Sequence, residues 1–463
     1  MKIVILGAGQ VGSTLAENLA SEANDVSLVD TDAGLLQELR DRLDIRTVVG
    51  EASHPSVLEQ AGIVDADMLV AVTAIDEVNM IACQIAHSIF NTPRRIARIR
   101  SEGYTNAAAK HLFTPDHIPI DNIFTPEQLV TDHLRQLVEQ PGALQVLDFA
   151  DGALQLAGVR ATRNSHMVGE EISALRQHIP KIDTRVAAIY RNTQAIIPEG
   201  KTVIETDDEV FFVSATKHIR SVMAELAGQE KPYRRIVVAG GGNIGFRLAS
   251  CLENNYQVKV IELSKERCNF LATSLNCTVL EGSSSDQDLL MDEGIDHTDV
   301  FLAVTNNDAA NIMSSMLAKR LGAGKVVTLI NNPVYVDLMQ GSVIDIAISP
   351  EQITTSSLLA HVRKGDTVKV HTLRRGAAEA MELVAHGDKR TSRIVGRAIN
   401  DLDLPPGASI GALVRMTGKK PVVLMAHHDT VIEDGDHVIV FLVDKKYTNK
   451  VVQMFEPNLF FFQ

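Results

Sequence analysis

The 463-residue sequence predicts an α/β protein of two doubly wound parallel-sheet domains, each followed by a small α+β lobe. Three observations carry this expectation. Short apolar runs alternate with helical stretches, the pattern of βαβ units on a parallel sheet. A glycine-rich turn directly follows the first of those runs. The whole pattern then returns about 230 residues later.

The repeat is visible residue by residue. VILGAGQVGSTLAENLA at Val4 to Ala20 reappears as VVAGGGNIGFRLASCLE at Val237 to Glu253, so Gly7, Gly9 and Gly12 map to Gly240, Gly242 and Gly245, 233 positions on. After a slip of one residue, Asp30, Gly50, Thr73, Asp76 and Asn79 map to Glu262, Gly282, Thr305, Asp308 and Asn311, 232 positions on. PEQ at Pro126 returns at Pro350, and VGEEI returns as VGRAI, where Gly169 maps to Gly396. A duplicated unit with length changes confined to loops accounts for this series.

In the first copy KIVILG, DVSLVD, RTVVG, MLVAVT and RRIARIR read as successive strands, with TLAENLASE and NMIACQIAHSIF among the intervening helices. The following stretch has Gly and Asp turns between strands and one helical segment, VGEEISALRQ, which suits an α+β lobe. The expected divisions are 1–135 and 232–355 for the parallel-sheet domains and 140–226 and 366–452 for the lobes. A basic, turn-prone AGQEKPYRR joins the copies at Ala227 to Arg235. The terminal NLFFFQ, Asn458 to Gln463, has the look of a protease-site remnant and is left outside the fold expectation.

Composition narrows the function classes. With 45% hydrophobic and 22% charged residues and a mean hydropathy of +0.05, the chain is neither disordered nor membrane-spanning. Its 58 acidic and 44 basic residues leave a formal charge of −14, a repulsive background for nucleic acid, and with no Trp it lacks the usual stacking platform. No apolar run reaches the ~20 residues of a spanning helix, and MKIVILGAGQ is too short in apolar residues for a signal-peptide core, so a cytoplasmic location is expected. Cys83, Cys251, Cys268 and Cys277 form no CxxC pair and read as reduced, buried thiols; no metal site and no catalytic residue is expected. His427, His428 and Asp429 read as a turn, and the basic residues His361 to Lys364, Arg374 and Arg375 as solvated faces.

GAGQVG follows a strand, opens a helix, and is followed by Asp30 at the next strand end, which together make the Rossmann-like dinucleotide fingerprint. The first glycine turns the chain, the second lets backbone approach a pyrophosphate, and the third packs helix on strand. Helix N-terminal amides hold the phosphates, while the Asp30 carboxylate accepts ribose hydroxyls and repels a 2′-phosphate, which favours NAD(H) or adenosine over NADP(H). GGGNIG with Glu262 repeats the logic. At the next strand ends, Thr73, Ala74, Asp76 and Glu77, and in the second copy Thr305, Asn306 and Asn307, either cap the following helix or touch ribose or phosphate. Arg98 and Arg100 alternate along a strand and so face one side, placed to clamp a di- or triphosphate or a neighbour's acidic loop. Leu329 and Asn331 stand there in the second copy, so the two crevices are not expected to bind one anion equally.

The order strand, GxGxxG, helix, acid, with the VxGEAS or LEGSSS loop, the AVT loop, ARIR and a small C-terminal lobe, resembles the RCK (regulator of potassium conductance) domain. Two such units in one chain are similar to the peripheral nucleotide-binding subunits of Trk potassium-uptake systems, a likeness covering residues 1–452. The resemblance implies dinucleotide contacts at Gly7, Ala8, Gly9, Gln10, Val11, Asp30, Thr73, Ala74 and Arg98, with Arg100 a phosphate contact or an interface charge. In the second copy they fall on Gly240, Gly241, Gly242, Asn243, Ile244, Glu262, Thr305 and Asn306. It also implies a non-enzymatic regulator, peripheral on the inner face of the membrane, that self-associates as a dimer or tetramer ring. Such a regulator gates a potassium-translocating membrane subunit as NAD(H) or ATP/ADP occupies the crevices. A dehydrogenase is the alternative; it requires a catalytic lobe with a placed His or Lys, whereas the sequence shows two similar small lobes.

Overall fold

A computed structural model describes residues 1–463 except 23, 110, 192–193, 229, 340–342, 364–366, 374–377, 419 and 457–463. Part of the joining segment, Lys364, Arg374, Arg375 and the terminal NLFFFQ therefore lie outside the described residues. The contacts divide the chain into two compact units that do not follow chain order: Met1–Leu129 with Glu351–Arg363, and Val130–Pro350 with 364–463.

The first unit runs β1 (Lys2–Leu6), α1 (Gln10–Ser21), β2 (Asp25–Asp30), α2 (Ala33–Arg42), β3 (Arg46–Val49), α3 (Pro55–Gln60), β4 (Met68–Ala71), α4 (Asp76–Ser88), β5 (Arg94–Arg98), α5 (Glu102–Thr105) and β6 (Asn122–Phe124). Its six strands form one parallel sheet in the order β3-β2-β1-β4-β5-β6, the doubly wound arrangement in which strand order reverses beside β1. Strands such as MLVA are buried on both faces because helices cover both sides, which is why they read as unbroken apolar runs. Helix α1 buries Gly12, Leu15, Ala16 and Leu19 on one stripe, and the Asp32 carboxylate caps α2 by accepting from Gly34 N and Leu35 N.

Helix α6 (Pro126–Glu139) leaves this sheet. From Val130 onward it belongs to the second unit, where Arg135 and Glu139 interact with Cys251 and Tyr256. That unit continues with β7 (Ala143–Phe149), β8 (Leu154–Arg160), α7 (Leu175–His178), β9 (Thr184–Arg191), β10 (Gln194–Ile196), β11 (Glu209–Ala215) and α8 (Ile219–Ala227). The second parallel sheet follows: β12 (Arg235–Ala239), α9 (Asn243–Leu252), β13 (Gln257–Glu262), α10 (Lys265–Ser274), β14 (Thr278–Glu281), α11 (Gln287–Asp292), β15 (Val300–Ala303), α12 (Asp308–Arg320), β16 (Lys325–Leu329), α13 (Pro333–Leu338) and β17 (Ile346–Ile348). Its order, β14-β13-β12-β15-β16-β17, repeats the first.

Helix α14 (Pro350–Val362) then packs in the first unit, not beside the sheet it follows in the chain. Leu358, Leu359 and Val362 are buried with Ile3, Ile5, Leu15 and Leu19, Thr14 donates to Glu351, and Arg363 is paired with Glu22 at 2.5 Å. The sequence divisions at 135 and 355 fall inside these two helices, whereas the contacts assign α6 from Val130 and α14 from Glu351 to the unit other than that of the sheet each follows. The two closing helices share the PEQ start, and helical periodicity does not record which sheet a helix covers.

The second lobe completes the chain with β18 (Thr367–Leu373), β19 (Ala378–Val384), β20 (Ala408–Thr417), β21 (Lys420–Met425), β22 (His437–Leu442) and α15 (Thr448–Phe455). Both lobes are five-stranded antiparallel sheets of matching order, β10-β9-β11-β8-β7 and β21-β20-β22-β19-β18. They share a core: Phe149, Leu154, Leu156, Tyr190, Phe211 and Val213 pack with Leu373, Ala380, Val414, Ile439 and Phe441. Each lobe also repeats one buried ion pair. Arg191 holds fully buried Asp208 at 2.9 and 2.8 Å and donates to Val203 O, and Arg415 holds Asp436 at 2.8 Å twice and donates to Val431 O. His427 and His428 follow β21 in a turn, with His427 N bonded to Thr430, as expected. Of the cysteines, all four free, Cys83 and Cys268 are buried and Cys277 is half-buried, but Cys251 is exposed on α9, which corrects the expectation of four buried thiols.

Candidate functional site

The site lies where the loops leave the carboxyl ends of β1, β2, β4 and β5, beside the reversal in strand order. Gly7 has φ +99°, and a Cβ there would stand 3.0 Å from the backbone of Thr73. At Gly12 a Cβ would fall 1.8 Å from Gly7 O, so the third glycine is what lets α1 start against β1. Gly9 differs from both: a Cβ there meets nothing within 4 Å. It is the N-cap of α1, and no side-chain hydrogen bond caps that helix. The second copy repeats each feature: Gly240 has φ +110°, a Cβ at Gly245 would fall 1.8 Å from Gly240 O, and one at Gly242 meets nothing within 4 Å.

Asp30 ends β2 and braces the glycine loop. Its Oδ2 accepts from Ala8 N at 2.6 Å and its Oδ1 from Asp32 N at 2.9 Å. Glu262 does the same through Gly241 N and Ser264 N, both at 2.8 Å. Each acid thus sits beside the loop it was expected to serve, and orders that loop as well.

The AVT loop is organised by a residue that motif reading passed over. Asn79 is fully buried; its Oδ1 accepts from Thr73 N at 3.0 Å and from Thr73 Oγ1 at 2.7 Å, and its Nδ2 donates to Thr73 O and Arg98 O. Asn311 repeats this clamp with Thr305 and Leu329 O. Its recurrence 232 positions on is the one trace of this role in the sequence. Asp76 does not cap α4: its carboxylate accepts the backbone amides of Arg100 and Ser101 at 2.8–3.1 Å, and Asp308 likewise holds Asn331 and Asn332, while Asn307 caps α12. Ala74 and Asn306 lie in these same loops.

Arg98 and Arg100 do come together. Arg100 Nε donates to Glu127 at 2.7 Å, whereas Arg98 Nε is buried with no hydrogen-bond partner among the described residues. Burial and then the neighbouring Arg100 charge pull the Arg98 guanidinium below its ordinary value. A half-buried guanidinium whose buried Nε finds no hydrogen-bond partner among the described residues is an anion-seeking group at this strand end. In the second copy Leu329 is buried and Asn331 is bonded to Asp308, so no cation occupies either position. A different one stands at the other side of the loop. Arg267 of α10 donates to Gly241 O at 2.7 Å, with its guanidinium 4.6 Å from the Phe270 ring centroid. Leu35 precedes it by 232 positions, so no motif announced it.

The family model for the TrkA-N domain matches residues 3–125 and again 236–350, and that for the TrkA-C domain matches 156–227. A Trk system potassium uptake protein TrkA of Halomonas elongata is 58% identical over 463 residues, covering 100% of both chains. The chain belongs to the TrkA family. The TrkA protein of Vibrio alginolyticus is 57% identical over 462 residues, again covering 100% of both chains, and a TrkA homologue of Methanosarcina mazei is 31% identical over 450, covering 95% of this chain and 97% of the other. Among solved structures, the GsuK RCK domain shares the fold at a TM-score of 0.59 and 17% identity, covering 98% of this chain and 95% of its own. The GsuK channel bound to NAD does so at 0.60 and 17%, covering 98% and 78%. This TrkA-family chain therefore carries two Rossmann-like TrkA-N domains and shares the fold of the GsuK RCK domain, and among its described residues no helix is long and apolar enough to cross a membrane.

Proposed function

We propose that this chain is the non-enzymatic nucleotide sensor of a Trk-type potassium-uptake system. NAD(H) binds the first crevice through the amides of Gly7 to Val11, with Asp30 at the ribose, Thr73 and Ala74 lining the loop, and Arg98 on the phosphates; Arg100 stays on Glu127 as its neighbour. ATP and ADP compete there through the shared adenosine phosphate. The second crevice, from Gly240 to Ile244 with Glu262, Thr305 and Asn306, takes nucleotide more weakly because its strand end lacks the arginines.

The observation that carries this reading is an open glycine at position 9 together with a half-buried Arg98 whose buried Nε has no hydrogen-bond partner among the described residues. The names of the relatives support the potassium-uptake context, and the NAD-bound GsuK channel supports the ligand class for a chain of this fold. Chains assemble as a dimer or tetramer ring on the cytoplasmic face of a potassium-translocating membrane subunit, and ligand acts on that partner only through its different affinity for two ring shapes. Two matching lobes with matching ion pairs suit a symmetric regulator better than a dehydrogenase.

Native mass spectrometry of the full chain with NADH, ATP and ADP reads oligomer size and ligand count together, and calorimetry of Arg98→Gln reads the phosphate contact. About tenfold weaker NADH binding is expected from losing one charge-assisted hydrogen bond. Unchanged affinity, or turnover of NADH with a hydroxy or amino acid, overturns the proposal.

A further inference from the structure

The first lobe brings together three side chains that lie far apart in the chain. His166 sits in the loop after β8, His178 ends α7, and Glu225 lies on α8. Both histidines aim Nδ1 at the same carboxylate oxygen: His166 Nδ1 is 3.0 Å and His178 Nδ1 3.5 Å from Glu225 Oε2, and the three ligand atoms all lie within 4.8 Å of one another. The imidazole centroids are 6.3 Å apart. In tetrahedral coordination, with metal–nitrogen and metal–oxygen bonds of about 2.0–2.2 Å, neighbouring ligand atoms stand roughly 3.3–3.5 Å apart. The His178 spacing of 3.5 Å lies at that edge, and the His166 spacing of 3.0 Å falls just short of it.

The arrangement is also braced from behind. Ser165 Oγ donates to Glu225 O at 2.8 Å, Thr162 Oγ1 donates to Ala227 O at 2.9 Å, and Met167 N donates to Ser165 Oγ at 3.1 Å, with Met167 fully buried. The loop that carries His166 is therefore tied to the helix turn that carries Glu225, so the ligands are positioned before any ion arrives. The His166 side chain is 70% exposed, which leaves the fourth direction open to water. The second lobe has no counterpart: 227 positions on stand Arg393 and Pro405, and α15 reads TNKVVQMF. Fold maintenance does not require the trio, since the same sheet forms without it.

We propose that His166, His178 and Glu225 form a binding site for a divalent transition cation of the zinc class, which clasps the β8 loop, α7 and α8 together. Two neutral imidazoles and one carboxylate suit zinc and its neighbours over magnesium or calcium, which take oxygen donors. Because α8 leads into β12, occupancy fixes the helix at the entrance to the second parallel-sheet domain.

The test is zinc chloride titrated by calorimetry into the full chain freed of metal with EDTA, with cobalt(II) absorption as a report of tetrahedral geometry. One equivalent bound per chain is expected, weakened about 10–100-fold by His166→Ala and by Glu225→Gln. Melting without metal should be unchanged in His166→Ala because that side chain is mostly exposed, so this variant carries the test even if Glu225→Gln folds poorly. Absence of zinc binding in the parent chain, or equally tight binding by His166→Ala, overturns the site.

Discussion

Replacing Gly9 and Gly12 separately distinguishes a ligand-facing glycine from a packing one. At Gly9 the backbone is ordinary for any residue, φ −63° and ψ −177°, and an added methyl touches nothing within 4 Å. Two small terms oppose each other there: loss of glycine's preference for the N-cap and loss of unfolded-state freedom, each up to about 1 kcal/mol. Gly9→Ala should therefore change stability by less than about 1 kcal/mol. The same methyl occupies the space a pyrophosphate needs to reach the α1 amides, and a displacement that breaks one charge-assisted hydrogen bond costs about 1.5–3 kcal/mol, tenfold or more in affinity. Gly12→Ala places its methyl 1.8 Å from Gly7 O, inside contact distance to backbone that has no side-chain freedom to yield. It should cost both stability, by about 1–3 kcal/mol, and binding. Chemical denaturation and NADH calorimetry on the two variants read these quantities. NADH bound by Gly9→Ala as tightly as by the parent chain would refute the placement of dinucleotide against this loop, whatever Gly12→Ala does.

Three further outcomes follow from the packing. Leu358→Ala should destabilise by about 2–5 kcal/mol, and hydrogen exchange should quicken in α1 around Leu15 and Leu19 rather than in the second parallel sheet; the reverse pattern would show that α14 covers its own copy. Asp208→Asn leaves the half-exposed Arg191, still paired with Glu205, facing a neutral amide, with a loss of about 1–3 kcal/mol in denaturant unfolding; a loss under about 0.5 kcal/mol would place the pair among weak surface bridges. Burial lowers His133 to about 4. The folded state therefore resists protonation while the unfolded chain binds a proton near 6.5, so this contribution is complete above that value and is lost as pH falls from 6.5 toward 4. His133→Leu should flatten the stability–pH curve over that window, and an unchanged slope would remove His133 from the account.

Much of the site was legible because its chemistry is local. The glycine spacing of Gly7, Gly9 and Gly12 encodes a turn, an open approach and a close helix start within six residues, and the structure gives each glycine a distinct surrounding. Asp30 and Arg98 lie at strand ends that periodicity alone locates. Asn79 and Asn311 were present in the repeat but silent, because a buried amide declares its role only through the four groups it joins. Arg267 was invisible for a related reason: its partners are loop carbonyls and a ring contributed from outside any motif.

The sequence by itself determined the duplication, the parallel-sheet class, the glycine loops with their acids and the asymmetry of Arg98 and Arg100 against Leu329 and Asn331. These follow from periodicity and residue chemistry, which act over a few residues. Only the tertiary structure decided that α6 and α14 each leave the sheet they follow, that Arg98 buries an Nε with no partner among the described residues, and that His166, His178 and Glu225 converge. Each is a matter of which surfaces meet across hundreds of residues, and apolar stripes and charges in a sequence specify that they must be covered or paired without specifying by what.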